Sequence, residues 1–310
     1  MADAIAGGTR FAAGSPLIAT GFVAVAACCF GSVSVLTLVG TRAGASLPTL
    51  IMWRYAMAVP LLMIIAGGAT AFRVERRVLW RIILLGGGGQ AIVTGFTLVS
   101  LRWIPAATEA FLFYTYPAWV AIFAAVRGTE PLTRDRVVAL VLAMGGIAFM
   151  VGAPGAESLK PIGVVLVIAA AIVYALYIPL LDDLRHRTNG AITTAWLSVG
   201  SAVVFGVWAV AGGSFRLAQP PTVWFAAVTL AIVCTVVAFL MILRGLAVLG
   251  PVRTAITCTI EPFWTAVLAA LVLSQPIQTR TLVGGGLIAV AVFLLQRKST
   301  TDAEDAAVPV

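Results

Sequence analysis

Residues 251–264, PVRTAITCTIEPFW, decide how the rest of the chain is interpreted, because residues 105–119, PAATEAFLFYTYPAW, repeat their layout. Each segment begins with a proline and reaches a Pro-x-Trp triplet, which starts 12 residues later at Pro117 and 11 residues later at Pro262. A further proline follows the first residue of each triplet after 14 residues. Three landmarks at near-equal spacing indicate that one half of the chain duplicates the other.

The composition is that of a membrane protein. Of the 310 residues, 61% are apolar and 10% charged, and the mean hydropathy is +1.06, whereas a soluble domain has about 25% charged residues. The four cysteines lie within apolar runs without a metal-ligand spacing, which indicates packed thiols. The net charge of +8 comes from basic residues between apolar runs, so it indicates membrane topology and not nucleic-acid binding.

A requirement of about 20 apolar residues per span predicts ten transmembrane helices. They are expected near residues 17–40, 47–68, 78–101, 104–126, 136–153, 161–181, 191–212, 222–247, 252–273 and 281–296. Residues 1–16 are predicted to be an N-terminal tail and residues 297–310 a disordered C-terminal tail. The two repeats are then residues 17–153 and residues 161–296.

The basic residues predict the orientation, because cytoplasmic loops are enriched in Lys and Arg. Counted by alternate loops, fourteen basic residues fall on one side, five fall on the other, and Arg54 lies inside the second span. Both termini are therefore expected on the cytoplasmic side of the plasma (inner) membrane.

The duplication extends over the whole chain. Similar residues recur at offsets of 142 to 145: Gly21 and Gly163, Phe30 and Tyr174, Trp53 and Trp196, Gly67-Gly68 and Gly212-Gly213, and Trp80 and Trp224. Each unit then holds five predicted helices, and an odd number of spans makes the second unit enter the membrane from the opposite side. The predicted fold is an all-α membrane protein with two inverted five-helix repeats around a central cavity.

Several of these residues match a known family. They are Pro117, residues 130–133 (EPLT), Gly145 and Gly146 in the first half, and Glu261, Pro262, Pro276 and residues 284–286 (GGG) in the second. With them the chain resembles the EamA-type ten-helix members of the drug/metabolite transporter superfamily. In one departure, Ser274 and Gln275 stand where the family usually has Gly-Glu.

The resemblance implies export or exchange of a small organic metabolite, such as an amino acid or a similar zwitterion. Its partners would be that small molecule, the lipid bilayer and, as a candidate coupling ion, the proton. Together with the inverted repeat, it leads us to expect a secondary active transporter that works by alternating access and needs no metal or other cofactor. The substrate, the direction of transport, the coupling ion and the choice between monomer and homodimer stay open.

Glu261 is the first candidate site residue, because an ionisable group near the membrane midplane costs roughly 2.5–3.5 kcal/mol on insertion scales. Pro262 should free the carbonyl of Cys258 and bend the helix beside the acid. Thr254, Thr257, Cys258, Glu261 and Thr265 follow at helical steps, so they are expected to form a stripe that faces a wet cavity. Glu261 could bind a substrate ammonium group or carry a proton, or it could be a protonated acid that hydrogen-bonds a neighbouring helix.

The fourth span provides Glu109 and Tyr116 on one face, with a second helix kink expected at Pro117. Tyr116 occupies the position equivalent to Glu261 in the other repeat. Glu109 and Arg54 lie at similar depths, so they could form a structural or gating salt bridge between the second and fourth spans. Arg54 could instead bind a substrate carboxylate.

Further candidates come from the third and sixth spans. Gln90, Thr94 and Thr97 share one face of the third span, after four glycines that permit close helix packing. Tyr174, Tyr177, Trp196 and Trp264 could line a cavity, although aromatic residues in membrane proteins are more often packing or interfacial residues.

Other function classes are weighed against transport. Residues 182–186, DDLRH, contain the single histidine of the chain, but an enzyme is not expected, since neither a zinc spacing nor a nucleophile with a nearby base is found. A facilitative uniporter, a channel-like permease or a scaffold stays an alternative. Paired helix-breaking prolines favour alternation between two states.

Overall fold

The computed structural model describes residues 15–68, 72–128, 133–152, 159–188 and 190–305, which form helices joined by short turns. The helices of the first half are α1 (Pro16–Arg42), α2 (Leu47–Ile65), α3 (Arg76–Leu85), α4 (Ala91–Ser100), α5 (Ala106–Phe113), α6 (Tyr116–Val126) and α7 (Arg134–Gly152). Those of the second half are α8 (Pro161–Arg187), α9 (Gly190–Ala211), α10 (Pro221–Ala231), α11 (Ala238–Cys258), α12 (Ile260–Leu273) and α13 (Thr279–Asp305).

Seven helical segments in the described part of the chain are long and apolar enough to cross a membrane. Three shorter apolar helices, Val137–Met150, Pro161–Tyr177 and Thr279–Leu294, accompany them. The chain is therefore a multi-pass membrane protein.

The helices start where the sequence supplies start signals. Proline occupies the first turn of α1, α2 and α8, where its missing N–H costs no hydrogen bond. Ser46 also caps α2, because its hydroxyl accepts a bond from the backbone N–H of Thr49 at 3.4 Å. The loops between spans can therefore be short.

Two spans that the sequence predicts as continuous contain π-helical turns. One is Gly86–Gln90, between α3 and α4, and the other is Ile232–Val237, between α10 and α11. Each carries the wider helical turn that is frequent at functional sites. The two segments occupy matching places in the two halves of the chain.

Two further spans are broken near their middle. Tyr114 and Thr115 separate α5 from α6, and Thr259 separates α11 from α12. At each break a threonine hydroxyl donates to the carbonyl three residues earlier at 2.7 Å, Thr115 to Leu112 and Thr259 to Ile256. The breaks precede Pro117 and Pro262. The proline that the two halves share is therefore close to a helix break in each half.

The helix contacts also follow the duplication. α1 packs against α10, α11 and α12, while α8 packs against α3, α4, α5 and α6. α2 contacts α9, and α7 contacts α13. The contacts of α1 with the second half correspond to those of α8 with the first half. The other two contacts each join a helix to the corresponding helix of the other half. Two similar halves related by an approximate twofold axis would produce this pattern.

The C-terminal boundary differs from the expectation. α13 continues to Asp305, so the residues from 297 to 305, predicted to be disordered, are helical. Neither proline nor glycine occurs between Gln296 and Asp305, and polar residues extend a helix readily once it leaves the membrane. Residues 1–14, and residues 130–132 of the EPLT motif, lie outside the described residues.

Close packing of α7 on α13 generates a prediction about two adjacent glycines. A Cβ at Gly146 would lie 2.6 Å from the carbonyl oxygen of Gly284 and 2.8 Å from Cγ1 of Ile288, whereas a Cβ at Gly145 would meet nothing within 4 Å. Gly146→Ala should therefore destabilise the protein by about 1–3 kcal/mol through overpacking. Gly145→Ala is the matched control and should leave the melting temperature in detergent unchanged or raised. Equal melting temperatures for the two variants would contradict this packing.

Candidate functional site

A cavity of about 310 Å³ lies between the two halves of the chain. Its walls come from α1, α2, α4, α5, α6, α8 and α12 together with the first π-helical turn. Nine of the residues singled out from the sequence line it: Arg54, Gln90, Thr94, Thr97, Glu109, Tyr116, Tyr174, Glu261 and Thr265. The structure thus brings the ionisable candidates of both halves to one cavity.

Glu261 lies in the first turn of α12, directly after the helix break. Its Oε2 is 2.8 Å from the hydroxyl of Tyr114, and the same hydroxyl donates to the carbonyl of Cys258. A regular helix would bond that carbonyl to the N–H of residue 262, which proline lacks. Tyr114 therefore supplies, from the other half of the chain, the donor that Pro262 cannot provide.

The protonation of Glu261 decides how these bonds are distributed, because a tyrosine hydroxyl carries a single proton. When Glu261 is protonated, its own O–H donates to Tyr114, and Tyr114 donates to the carbonyl of Cys258. An ionised Glu261 would draw the proton of Tyr114 to the carboxylate and weaken the bond to the carbonyl of Cys258. The charge on Glu261 is thus linked to the helix break.

Contacts with α1 hold Glu261 in place. The hydroxyl of Thr265 donates to the carbonyl oxygen of Gly31 at 2.8 Å. A Cβ at Gly31 would lie 2.7 Å from the carbonyl oxygen of Glu261. Glycine at this position therefore allows the first turn of α12 to lie directly against α1.

Glu109 and Arg54 do not form the predicted salt bridge. The Oε2 of Glu109 accepts a bond from Ser34 at 2.7 Å, and Nε of Arg54 donates to Thr235 at 3.0 Å. Among the described residues no ion pair joins Glu109 and Arg54, because each side chain is held by a hydroxyl on a different helix. Both are buried, at 4% and 8% exposure, and both face the cavity.

The guanidinium of Arg54 also lies over an aromatic ring. Its Cζ is 5.1 Å from the centroid of Tyr55, a distance at which a cation is attracted to the ring face. Nε is used by Thr235, and the other guanidinium nitrogens carry further N–H donors. Arg54 can therefore bind an anionic group in the cavity without releasing Thr235.

The polar face of the third span lines the cavity as the spacing predicted. Nε2 of Gln90 donates to the hydroxyl of Thr94 at 3.2 Å, and the hydroxyls of Tyr55 and Thr94 lie 3.1 Å apart. The hydroxyl of Thr97 donates to the carbonyl of Val93 at 3.0 Å. This wall thus offers neutral hydrogen-bonding groups.

An aromatic wall faces them. The ring centroids of Tyr116 and Tyr174 are 4.9 Å apart, those of Phe113 and Tyr174 are 5.3 Å apart, and those of Tyr114 and Tyr116 are 6.0 Å apart. Sequence reasoning missed Phe113, Tyr114 and Ser34. The first two precede Pro117 as Cys258 and Thr259 precede Pro262, so a residue-by-residue comparison of the repeats could have found them.

Six residues that the sequence predicts at the cavity do not line it: Thr254, Thr257, Cys258, Tyr177, Trp196 and Trp264. The hydroxyl of Thr257 donates to the carbonyl of Arg253, and Nε1 of Trp264 donates to Ser32. Tyr177 is 3% exposed and packs in a cluster with Val78, Ile82 and Leu197 behind Tyr174. Thr257 precedes the helix break, and Trp264 is turned toward α1, so neither lines the cavity.

Within the described residues, no cluster of three or more His, Cys, Asp or Glu side chains could hold a metal ion. Residues 182–186 belong to α8, and their side chains lie outside the described part. The cysteines in the described residues are free thiols.

Comparison with known proteins gives three results. The model of the EamA-like transporter family matches residues 17–152 and again residues 161–297. The "Uncharacterized transporter YcbK" of Bacillus subtilis (strain 168) is 25% identical over 291 residues, which cover 90% of this chain and 93% of that protein. A crystal structure of a protein with 18% sequence identity has a TM-score of 0.60 and covers 95% of this chain and 100% of that chain.

The family match covers both halves of the chain and agrees with the duplicated helix breaks and the cavity between the halves. The family and the transporter-named relative point to membrane transport and not to an enzyme. The protein belongs to the EamA-like transporter family.

Proposed function

We propose that the protein is a secondary active transporter of the plasma (inner) membrane that exports or exchanges a small zwitterionic metabolite, such as an amino acid, by alternating access. The observation that carries this proposal is the cavity between the two halves, which contains a guanidinium and two carboxyl groups. A volume of about 310 Å³ suits a small ligand, since ligand pockets range from about 300 to 1,000 Å³.

The proposed architecture has ten spans in two inverted repeats, with both termini in the cytoplasm. The exchange-symmetric helix contacts and the duplicated breaks support it. An odd number of spans per repeat requires the inversion. Rocking of one repeat against the other would then expose the cavity to each side of the membrane in turn.

The charges of the cavity favour a zwitterion. Arg54 would bind the substrate carboxylate through its remaining N–H groups, since arginine matches carboxylate geometry. The substrate ammonium group would lie near Glu261 and Glu109 and against the rings of Tyr116 and Tyr174, whose faces attract cations. Each charged group of the substrate would then lie near a side chain of opposite charge.

The link between Glu261 and Tyr114 supports proton coupling. An ionised Glu261 would bind the substrate ammonium group, and a protonated Glu261 would release it and restore the bond from Tyr114 to Cys258. Proton and substrate would thus compete for one carboxyl group. Such competition is sufficient for exchange of a proton for substrate, because each step changes which species the cavity holds.

Glu261→Gln tests the coupling. A hydrogen bond to a charged group contributes about 1.5–3 kcal/mol, so exchange of the substrate should fall by about tenfold or more and lose its dependence on pH. The measurement is counterflow of radiolabelled amino acids in proteoliposomes, with and without a pH gradient. Glu75→Gln, which changes an exposed acid at the start of α3, is the control. Wild-type rate and pH dependence in Glu261→Gln would remove Glu261 from the mechanism.

Tyr114→Phe tests the link between the acid and the helix break. The variant keeps the aromatic ring but leaves the carbonyl of Cys258 without its donor, so we expect exchange to fall by about tenfold, with a pH profile that differs from the wild type. Thr20→Val serves as the control, because it removes an exposed hydroxyl that bonds a helix carbonyl away from the cavity. An unchanged pH profile would show that the hydroxyl does not respond to Glu261.

Exchanging the charges in Arg54→Glu/Glu109→Arg distinguishes a gate from a carboxylate site. The double variant preserves a paired gate but removes the guanidinium from its place beside Thr235 and Tyr55. Because the two side chains bond different helices, we expect the double variant to be as inactive in counterflow as Arg54→Glu alone. Recovery of exchange in the double variant would restore the salt-bridge interpretation.

A further inference from the structure

A second cavity of about 450 Å³ lies beside the central one. It is formed where α1 and α4 end and α2 begins, together with the end of α9. By the distribution of basic residues this is the extracellular side. The residues that line this outer cavity include Thr37, Thr41, Ala45, Leu98, Leu101 and Arg102.

Leu98 lines both cavities, and no other described residue does so. On α4, Thr94 faces the central cavity and Leu98 follows one turn later, and Arg102, in the turn just after α4, faces the outer cavity. On α1, Ser34 and Thr41 face the central and outer cavities in the same order. The two cavities are therefore in series along α1 and α4, with the side chain of Leu98 between them.

The packing of Leu98 suits a barrier. It is 4% exposed and belongs to an apolar cluster with Val35, Ile51 and Leu101. A leucine has no group that could hold a polar substrate, so a zwitterion would pass only when this side chain moves. Van der Waals contacts hold the leucine, and these can be exchanged without breaking a hydrogen bond.

The outer cavity has the chemistry of a carboxylate site. Arg102 is one of the residues that line it, and none of its described lining residues is acidic. Thr37, which is 1% exposed, has a buried hydroxyl with no hydrogen-bond partner. Buried hydroxyls without a partner are uncommon, and a carboxylate can accept from a hydroxyl and a guanidinium together.

We propose that the outer cavity is a second substrate station, which binds the carboxylate of the zwitterion through Arg102 and Thr37, and that Leu98 is the gate between this station and the central cavity. The identity of the ligand rests on the proposed function. The existence of two compartments does not depend on the proposed function, and neither does the positive charge of the outer compartment.

Reaction rates of single cysteines test the proposal without a transported substrate. In a background with Cys28, Cys29, Cys234 and Cys258 replaced, Thr41→Cys is labelled in whole cells with two membrane-impermeant methanethiosulfonates, one carrying a sulfonate and the other a trimethylammonium group. The rate with the anionic reagent is divided by the rate with the cationic reagent, and this ratio is compared with the same ratio for a free thiol in solution. It should favour the anionic reagent by about tenfold, since a charged cleft concentrates counter-ions. Addition of Arg102→Gln should abolish the preference.

The gate is tested at Ser34→Cys in the same background. This thiol should react slowly with the externally added reagents, and Leu98→Ala should accelerate the reaction by about tenfold or more. Leu101→Ala is the matched control, because Leu101 lines the outer cavity but not the central one, so it should leave Ser34→Cys slow. Ala45→Cys replaces Thr41→Cys if the latter does not reach the membrane.

The outcomes separate the two proposals. A charge preference that Arg102→Gln does not alter overturns the carboxylate station, and an unchanged rate at Ser34→Cys in Leu98→Ala overturns the gate. If both labelling results are obtained but no amino acid undergoes counterflow, the two compartments stand and the proposed substrate class fails.

Discussion

The hydrogen bond from Tyr114 to the carbonyl of Cys258 satisfies a constraint on which the central site depends. Within the hydrocarbon layer an unpaired carbonyl costs several kcal/mol, so a broken helix persists only where another group completes its bonds. Pro262 makes the break, and a tyrosine from the opposite half of the chain completes it. The carboxyl group of Glu261 lies in reach of the same hydroxyl, so an ionisable group lies beside the break between α11 and α12.

The duplication explains the helix breaks at the site, whereas the chemistry of the site comes from residues that differ between the two halves. Both halves have a break before a Pro-x-Trp triplet, with a threonine bonded to a carbonyl three residues earlier. In the first half, the residues around the break are Phe113, Tyr114 and Tyr116, which are aromatic. In the second half, the corresponding residues are Cys258, Thr259 and Glu261, so the acid lies opposite the rings. Two similar halves thereby enclose an asymmetric cavity, as the proposed zwitterionic substrate would require.

The sequence predicts the spans and the ionisable residues of the site, because a charged group inside the membrane is costly and therefore marks a position with a special role. The cost of burying charge identified Glu261, Glu109 and Arg54, and all three face the cavity. The spacing from Thr254 to Thr265 predicts one continuous helical stripe, yet the break at Thr259 changes the direction in which the residues after it point. For that reason Glu261 and Thr265 face the cavity, whereas Thr257 does not.

Other contacts could not be derived, because composition does not distinguish them. Tyr114 is one of five tyrosines, and Ser34 is a small polar residue in an apolar run, so neither carries a cost that marks it. The pairing of Arg54 with Glu109 failed for a related reason: similar depth in the membrane does not fix distance, and hydroxyls on neighbouring helices offered each group a partner.

The arrangement of the charges argues for movement as well as for binding. Arg54 is tied to Thr235 within the second π-helical turn, Gln90 ends the first, and Glu261 follows the break between α11 and α12. Groups that would bind the substrate thus lie in, beside or in hydrogen-bond contact with the least regular helical segments, where a helix can bend without losing a full turn of hydrogen bonds. Substrate that bridges Arg54 and Glu261 would join both halves at these segments. Its binding energy would then act directly on the relative position of the two repeats, which is the requirement for a ligand to shift a conformational equilibrium.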